Sequence, residues 1–386
     1  MSKQESINTK NTNDPVASYN KLAFLNPLKF VGAIMIAIFL HYDEHFLSKL
    51  GHENNLAANP LLGVLFKKSF IFVEMFFVIS GLLFVIAYQN RITSKIENNL
   101  ANNKPLGFAS FMLGRYKRIF PLVIITSIYM YILNVILVSK TGLLWAAGST
   151  SVLDLLGNII YGGNSILAGT KTLNGPIWYV QILLICYALA YVITKLVTNI
   201  KKEVHIIVFT LPIILGIIMR STSVNYPFWN EDFSRGLIAF FAGILLGHFL
   251  TVFDAFSKVT KLIIKAICSL VILTVLFLVA FKSELLSPIT TYVALLLFPE
   301  IIIVLYDLKL VNNICSNSFF KILGDISFGI YLWNFPILIT LHTLIVTNTI
   351  TPDVNSILFI ILLSMAHILI AICYDKITKL IQTKKP

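Results

Sequence analysis

Apolar runs of about 18 to 22 residues recur along the whole chain, and each can cross the ~30 Å hydrocarbon core of a bilayer as a helix. Backbone in hydrocarbon must satisfy its own hydrogen bonds, so runs of this length specify helices rather than loops. The natural cuts fall near 29–48, 69–90, 119–138, 177–197, 204–219, 235–253, 262–281, 289–306, 323–345 and 355–375. The expected fold is therefore all-α, a polytopic membrane protein of about ten transmembrane helices. A chain that is 57% hydrophobic and 12% charged, with a mean hydropathy of +0.84, is not an ordinary soluble globular protein.

The formal charge of +12 raises the question of nucleic acid, but its distribution answers otherwise. With the N-terminus inside, 22 of the 30 Lys and Arg fall in inner segments and 8 in outer ones, the bias that marks cytoplasmic loops. Both termini are expected in the cytoplasm. No basic stretch interleaved with aromatics stands out in a polar segment, so nucleic acid is not an expected partner. Residues 1–20 are polar and read as a disordered cytoplasmic tail, residues 21–376 as one membrane domain, and 377–386 as a second tail. Cys186, Cys268, Cys315 and Cys373 lack metal-ligand spacing and read as small buried hydrophobes, so no metal is expected.

Within the first run, Leu25 to Tyr42, stands His41, about 16 Å along a helix that begins near Phe30, with Lys29 at the near interface. An ionisable group this deep is costly and marks a functional site by default, although hydrogen bonding to a neighbouring helix would also explain it. Glu74 lies at nearly the same depth in the second, antiparallel run. A His41–Glu74 pair would hold the imidazole in one tautomer and raise its basicity; the alternative is a solvated Glu74 at the outer interface. Arg115 and Arg118, three apart in the inner loop 91–118, share a helix face at the mouth of the third run. Two guanidiniums there suit a phosphate-bearing ligand, or simply anionic lipid. Pro121 is expected in a first helical turn.

Residues 139–176 form the longest outer loop, glycine-bearing and poor in charge, and suggest a re-entrant or amphipathic segment. Trp178 and Tyr179 read as aromatic-belt residues. Arg220, Glu231, Asp232 and Arg235 read as local ion pairs in a solvated outer loop. Gly236, Gly243 and Gly247 in the sixth run would let helices approach closely. Glu300 is a buried acid without an evident partner, and His248, His342 and His367 read as packing or interfacial residues. No repeat, P-loop, nucleophile elbow, zinc motif or dinucleotide fingerprint occurs.

Four stretches in order, LKFVGAIMIAIFLH with His41, VEMFFVISGLLF with Glu74, the RxxR of Arg115 and Arg118, and ISFGIYLWNFPI, resemble the acyltransferase-3 family of integral-membrane acyltransferases across residues 22–375. The resemblance implies catalysis by His41, oriented by Glu74, and acyl-CoA received from the cytoplasm by Arg115 and Arg118. The donor would most simply be acetyl-CoA. The acceptor would be a hydroxyl of a surface or secreted polysaccharide, with the bilayer and polysaccharide-assembly proteins as partners at the cell membrane. Lys29 stands twelve residues before His41 where the family usually has Arg eleven before, and twelve residues of regular α-helix put the two about 120° apart. Gln181 and Asn334 replace the Glu and His of some branches, which argues against acid–base roles for them. Two other readings remain. One is a transporter with His41, Glu74 and Glu300 as a proton relay, against which the lack of matching halves counts. The other is a scaffold of glycan assembly.

Overall fold

The computed structural model describes residues 21–93, 106–145, 148–161, 172–222, 224, 226–281 and 290–383. The expected tail 1–20, residues 384–386 and the 162–171 part of the glycine-bearing loop lie outside the described residues. Among the described residues there is no strand, only an isolated bridge between Tyr226 and Trp229. Among the described residues nine helices are long and apolar enough to span a membrane: α1 Leu25–Leu50, α2 Leu62–Gln89, α3 Phe108–Thr141, α5 Ile177–Val197, α6 Val204–Ser221, α7 Glu231–Phe253, α8 Lys258–Val279, α11 Ser318–Val346 and α12 Ile357–Leu380. A tenth, α9 over Tyr292–Leu305, is shorter. Val152–Tyr161 forms a short α4 and Lys309–Cys315 a short α10.

Helices α1, α2, α7 and α11 make the interior, whereas α6, α8 and α12 turn rows such as Leu262, Leu270, Leu273 and Ile361, Leu362, Met365 outward, as helices bathed in lipid do. The long α11 packs on α1, α3 and α12, and α2 packs on α7, which also carries α6. The α2–α7 contact is a backbone-to-backbone approach. A Cβ on Gly81 would run into the Phe240 carbonyl oxygen, and one on Gly243 into that of Val78, so only glycine fits either position.

One end of the bundle carries the first and the last described residues. Asn26 packs under Gly324, and Lys379 pairs with Asp325 at 3.3 Å. At the opposite end, the Tyr42 hydroxyl donates to the Val354 carbonyl and the Asn55 N–H to Asn355 Oδ1 at 3.2 Å.

Three expectations change. Helix α3 starts at Phe108, earlier than expected, so Pro121 lies inside it rather than in its first turn, and Arg115 and Arg118 stand on it as their spacing assumed. The last helix continues to Thr383, past residue 376. Arg235 belongs to α7, not to the preceding loop. The amphipathic segment expected in 139–176 is present as α4, whose Val152, Leu153, Leu156 and Ile160 are exposed while Asp154 and Asn158 point inward, a pattern suited to a membrane surface.

Candidate active site

Helix α1 is not regular. Met35–Leu40 and Tyr42–Leu47 are π-helical and flank His41 on both sides, a local geometry that often accompanies functional sites. The wider π turn advances each residue by less than 100° around the axis. The separation of 120° between Lys29 and His41 holds only for unbroken α-helix, so six π-helical residues bring the two toward one face.

His41 is 9% exposed, in the half of α1 away from the first and last described residues. Its ring packs edge-on against Phe335 at 4.9 Å and lies 5.4 Å from the His45 ring. Its Nδ1 meets the Asn334 side-chain amide of α11. The other end of that amide lies 3.2 Å from His367 Nε2 on α12, and His367 Nδ1 is 2.7 Å from the Leu363 carbonyl. Asn334 and His367 are completely buried, so each polar atom in this chain must be satisfied by the next. Among the described residues no hydrogen bond engages His41 Nε2, leaving that nitrogen as the one with which the ring can accept a proton.

Glu74 is not the orienting partner of this histidine. It is completely buried, and its two oxygens accept from Arg235, Nε at 2.6 Å and Nη2 at 3.2 Å. The guanidinium also lies 3.8 Å from Asp232 and 5.0 Å from the Trp178 ring. The reason is positional: α7 presses against α2 through the glycine contacts and brings a cation to Glu74, whereas His41 faces α11. Equal depth along two helices therefore did not mean a shared face. The three groups of the transporter relay likewise diverge, His41 to Asn334, Glu74 to Arg235, and Glu300 Oε2 to no partner among the described residues.

Arg115 and Arg118 do share a site. Both line a cavity of about 600 Å³ that also takes in Lys29 and Arg91, so four cations converge with no carboxylate in the wall among the described residues. Arg115 is buried. Its Nη1 donates to the Phe111 carbonyl at 2.8 Å, and its guanidinium lies against the rings of Phe111 (3.4 Å), Tyr88 (4.0 Å) and Tyr187 (4.7 Å), while Nε has no partner among the described residues. The aromatic walls hold the fork in place by cation–π attraction and leave donor capacity unspent. Arg118, one turn along, is exposed to the cavity mouth. Away from the cations the cavity is lined by Phe76, Ser80, Tyr179 and Tyr331. Tyr331 lies three residues before Asn334 on α11, about 4.5 Å of axial rise from the residue that holds His41.

Tyr179 is thus a buried cavity residue, 3.4 Å from the Ser80 hydroxyl, and not a belt aromatic. His367 and Asn334, read as packing and as a poor substitute, turn out to contact the imidazole chain directly. No periodicity could have found them, since the contact depends on how α11 and α12 cross α1. Lys29 could have been found had the π turns been legible. His248 and His342 do behave as packing residues, His248 facing Gln89 at 3.3 Å and His342 packing on Trp145 at 4.9 Å. Among the described residues, no three of His, Cys, Asp and Glu gather as a metal site.

No curated protein and no solved structure matches the chain. The model of an acyltransferase domain family matches residues 22–375, nearly the whole length. A buried histidine deep in a helical bundle and an arginine pair in a cationic cavity are consistent with that match, and on it the chain belongs to the acyltransferase-3 family and is a multi-pass membrane acyltransferase.

Proposed function

We propose that this acyltransferase moves an acyl group, acetyl in the simplest case, from acyl-CoA in the cytoplasm to a hydroxyl of a cell-surface or secreted polysaccharide. The observation that carries the reading is the convergence of Lys29, Arg91, Arg115 and Arg118 on one cavity with no carboxylate in its wall among the described residues, a wall that reaches Tyr331, one helical turn from the residue holding His41. Polyanionic phosphates suit the cationic mouth, with arginine engaging them through two parallel hydrogen bonds. The aromatic part of the wall suits the uncharged arm of the donor. The excess of Lys and Arg in the segments at this end supports a cytoplasmic mouth in the cell membrane.

The acceptor hydroxyl approaches from the opposite face. His41 Nε2 removes its proton as the oxygen attacks the thioester carbonyl; the C–S bond then breaks, and the departing sulfur takes the proton from the imidazolium. An ester and a free thiol result, and His41 returns to its neutral form. Arg115 and Arg118 hold the donor. Glu74 anchors Arg235 and has no direct part in proton transfer.

Binding of acetyl-CoA to the detergent-purified protein tests the donor half of this reading. Saturable binding that weakens in Arg118→Ala supports it, and no binding by the parent protein refutes it. Mass spectrometry of surface glycans with and without the protein tests the acceptor half, where a difference of one acyl group is expected and identical glycans contradict it.

A further inference from the structure

The amide of Asn334 sits between two imidazoles, and which of its ends faces which ring decides the tautomer of His41. The structure records Nδ2 toward His41 Nδ1 and Oδ1 toward His367 Nε2, but the amide can be turned by 180° with no change of shape, so hydrogen-bond chemistry selects the orientation. The fixed point is the far end of the chain. His367 Nδ1 lies 2.7 Å from the Leu363 carbonyl oxygen, which can only accept, so Nδ1 carries a proton. In a completely buried, uncharged surrounding the neutral ring is favoured, and His367 Nε2 is then a bare acceptor. An acceptor 3.2 Å from the Asn334 amide needs its NH2 end. The amide oxygen must then face His41 Nδ1 and accept from it. With Nδ2 on His41 instead, Nε2 of His367 would have to donate, and either two acceptors would meet at Leu363 or an unpaired imidazolium would be buried.

We infer that Asn334 and His367 form a neutral positioning relay, anchored on the Leu363 carbonyl, that fixes His41 as its Nδ1–H tautomer and leaves the Nε2 lone pair as the catalytic base. The inference rests on the reading of His41 as the base and names the residues that set its protonation. Each bond runs one way: His41 Nδ1–H to Asn334 Oδ1, Asn334 Nδ2–H to His367 Nε2, His367 Nδ1–H to Leu363 O. All the groups are uncharged, so the relay orients the ring without the strong rise in basicity that a carboxylate would give, and His41 can hand its proton on to the leaving sulfur. When His41 becomes an imidazolium, Nδ1–H keeps its acceptor, which spares the buried charge an unmet donor. The relay also ties α1, α11 and α12 together at the base.

The test is 15N NMR of histidine-labelled protein in lipid, with the His41 signals identified by their loss in His41→Asn. The expected wild-type spectrum shows His41 protonated at Nδ1 and bare at Nε2. Asn334→Leu and His367→Leu should each mix the two tautomers. Their kcat should fall by between about 10-fold and 10⁴-fold, the upper figure being that for an imidazole held wholly in the wrong tautomer, with the donor KM unchanged. An Nε2–H tautomer in the wild type overturns the inference, and so does an unaltered tautomer in both variants. If the variants do not fold, the wild-type spectrum alone decides. The spectrum is independent of turnover: an active His41→Asn sinks the base reading while leaving the tautomer assignment measurable, and a wrong tautomer with an inactive His41→Asn sinks only the relay.

Discussion

The ion pair between Glu74 and Arg235 joins α2 to α7, and the geometry sets its energetics. Glu74 is 0% and Arg235 14% exposed at the side chain, with Nε 2.6 Å from Oε1 and a second bond to the same carboxylate. Two unit charges about 4 Å apart attract by about 4 kcal/mol at an effective dielectric of about 20, and breaking a buried pair by removing one member costs about 3–5 kcal/mol. Glu74→Ala leaves Arg235 with Asp232 at 3.8 Å, so its loss should fall at the low end, about 3 kcal/mol. Arg235→Ala leaves a carboxylate with no surface exposure, and its loss should be the larger, about 5 kcal/mol or less if Glu74 takes up a proton. Replacing both, Glu74→Leu with Arg235→Met, removes both charges at once and should cost less than the sum of the single losses. A thiol-reactive dye reports the unfolding, because Cys186, Cys268 and Cys315 are buried; Cys373, which is exposed, is first replaced by serine. The wild type should melt at the highest temperature, with the double variant at or above the less stable single one. Single variants within about 0.5 kcal/mol of the parent, or losses that simply add, would show that the pair is not coupled and that the geometry at Glu74 is wrong.

Other outcomes follow from the same contacts. Gly243→Leu should abolish stable expression, because its side chain would occupy the Val78 carbonyl and force α2 from α7, a strain above the 1–3 kcal/mol or so of ordinary overpacking; normal expression and melting would contradict the close approach. Arg115→Lys should lose donor affinity about as severely as Arg115→Ala, since an ammonium cannot make the planar contact with Phe111, Tyr88 and Tyr187, whereas Arg118→Lys should keep most of it. Equal retention by both lysine variants in an acetyl-CoA titration would deny Arg115 its aromatic platform. A single cysteine introduced at Lys104 should react with an impermeant maleimide only after the cytoplasmic face is opened; labelling in intact cells would reverse the orientation.

The span pattern was legible because hydrophobic length alone decides it: every expected run corresponds to a helix, and the one short case, α9, contains Pro299 and borders residues outside the described part. The arginine pair was legible for a similar reason, since a spacing of three on any helix shares a face. What sequence could not supply was the rotation of one helix against another. His41 and Glu74 agree in depth and still face different neighbours, because glycines at 81 and 243 set α7 against α2 and deliver Arg235 to Glu74. Lys29 was displaced by the assumption of 100° per residue, which the π turns of α1 break. Asn334 and His367 come from the far end of the chain, and only the crossing of α11 and α12 over α1 joins them to His41.

The central claim is that His41 is the base, and a single-turnover assay tests it most directly. Protein reconstituted in vesicles and preloaded with radiolabelled acetyl-CoA is mixed with an isolated surface polysaccharide, and the appearance of labelled ester is followed in time. His41→Asn keeps a hydrogen-bonding amide of similar size that cannot take a proton near neutral pH. General acid–base help is worth about 10²- to 10⁴-fold, so the variant, loaded to the same extent and melting at the same temperature, should transfer at no more than about one per cent of the parental rate. Transfer at a rate comparable to the parent's would show that His41 only fills the space between α1 and α11, and the mechanism would fall.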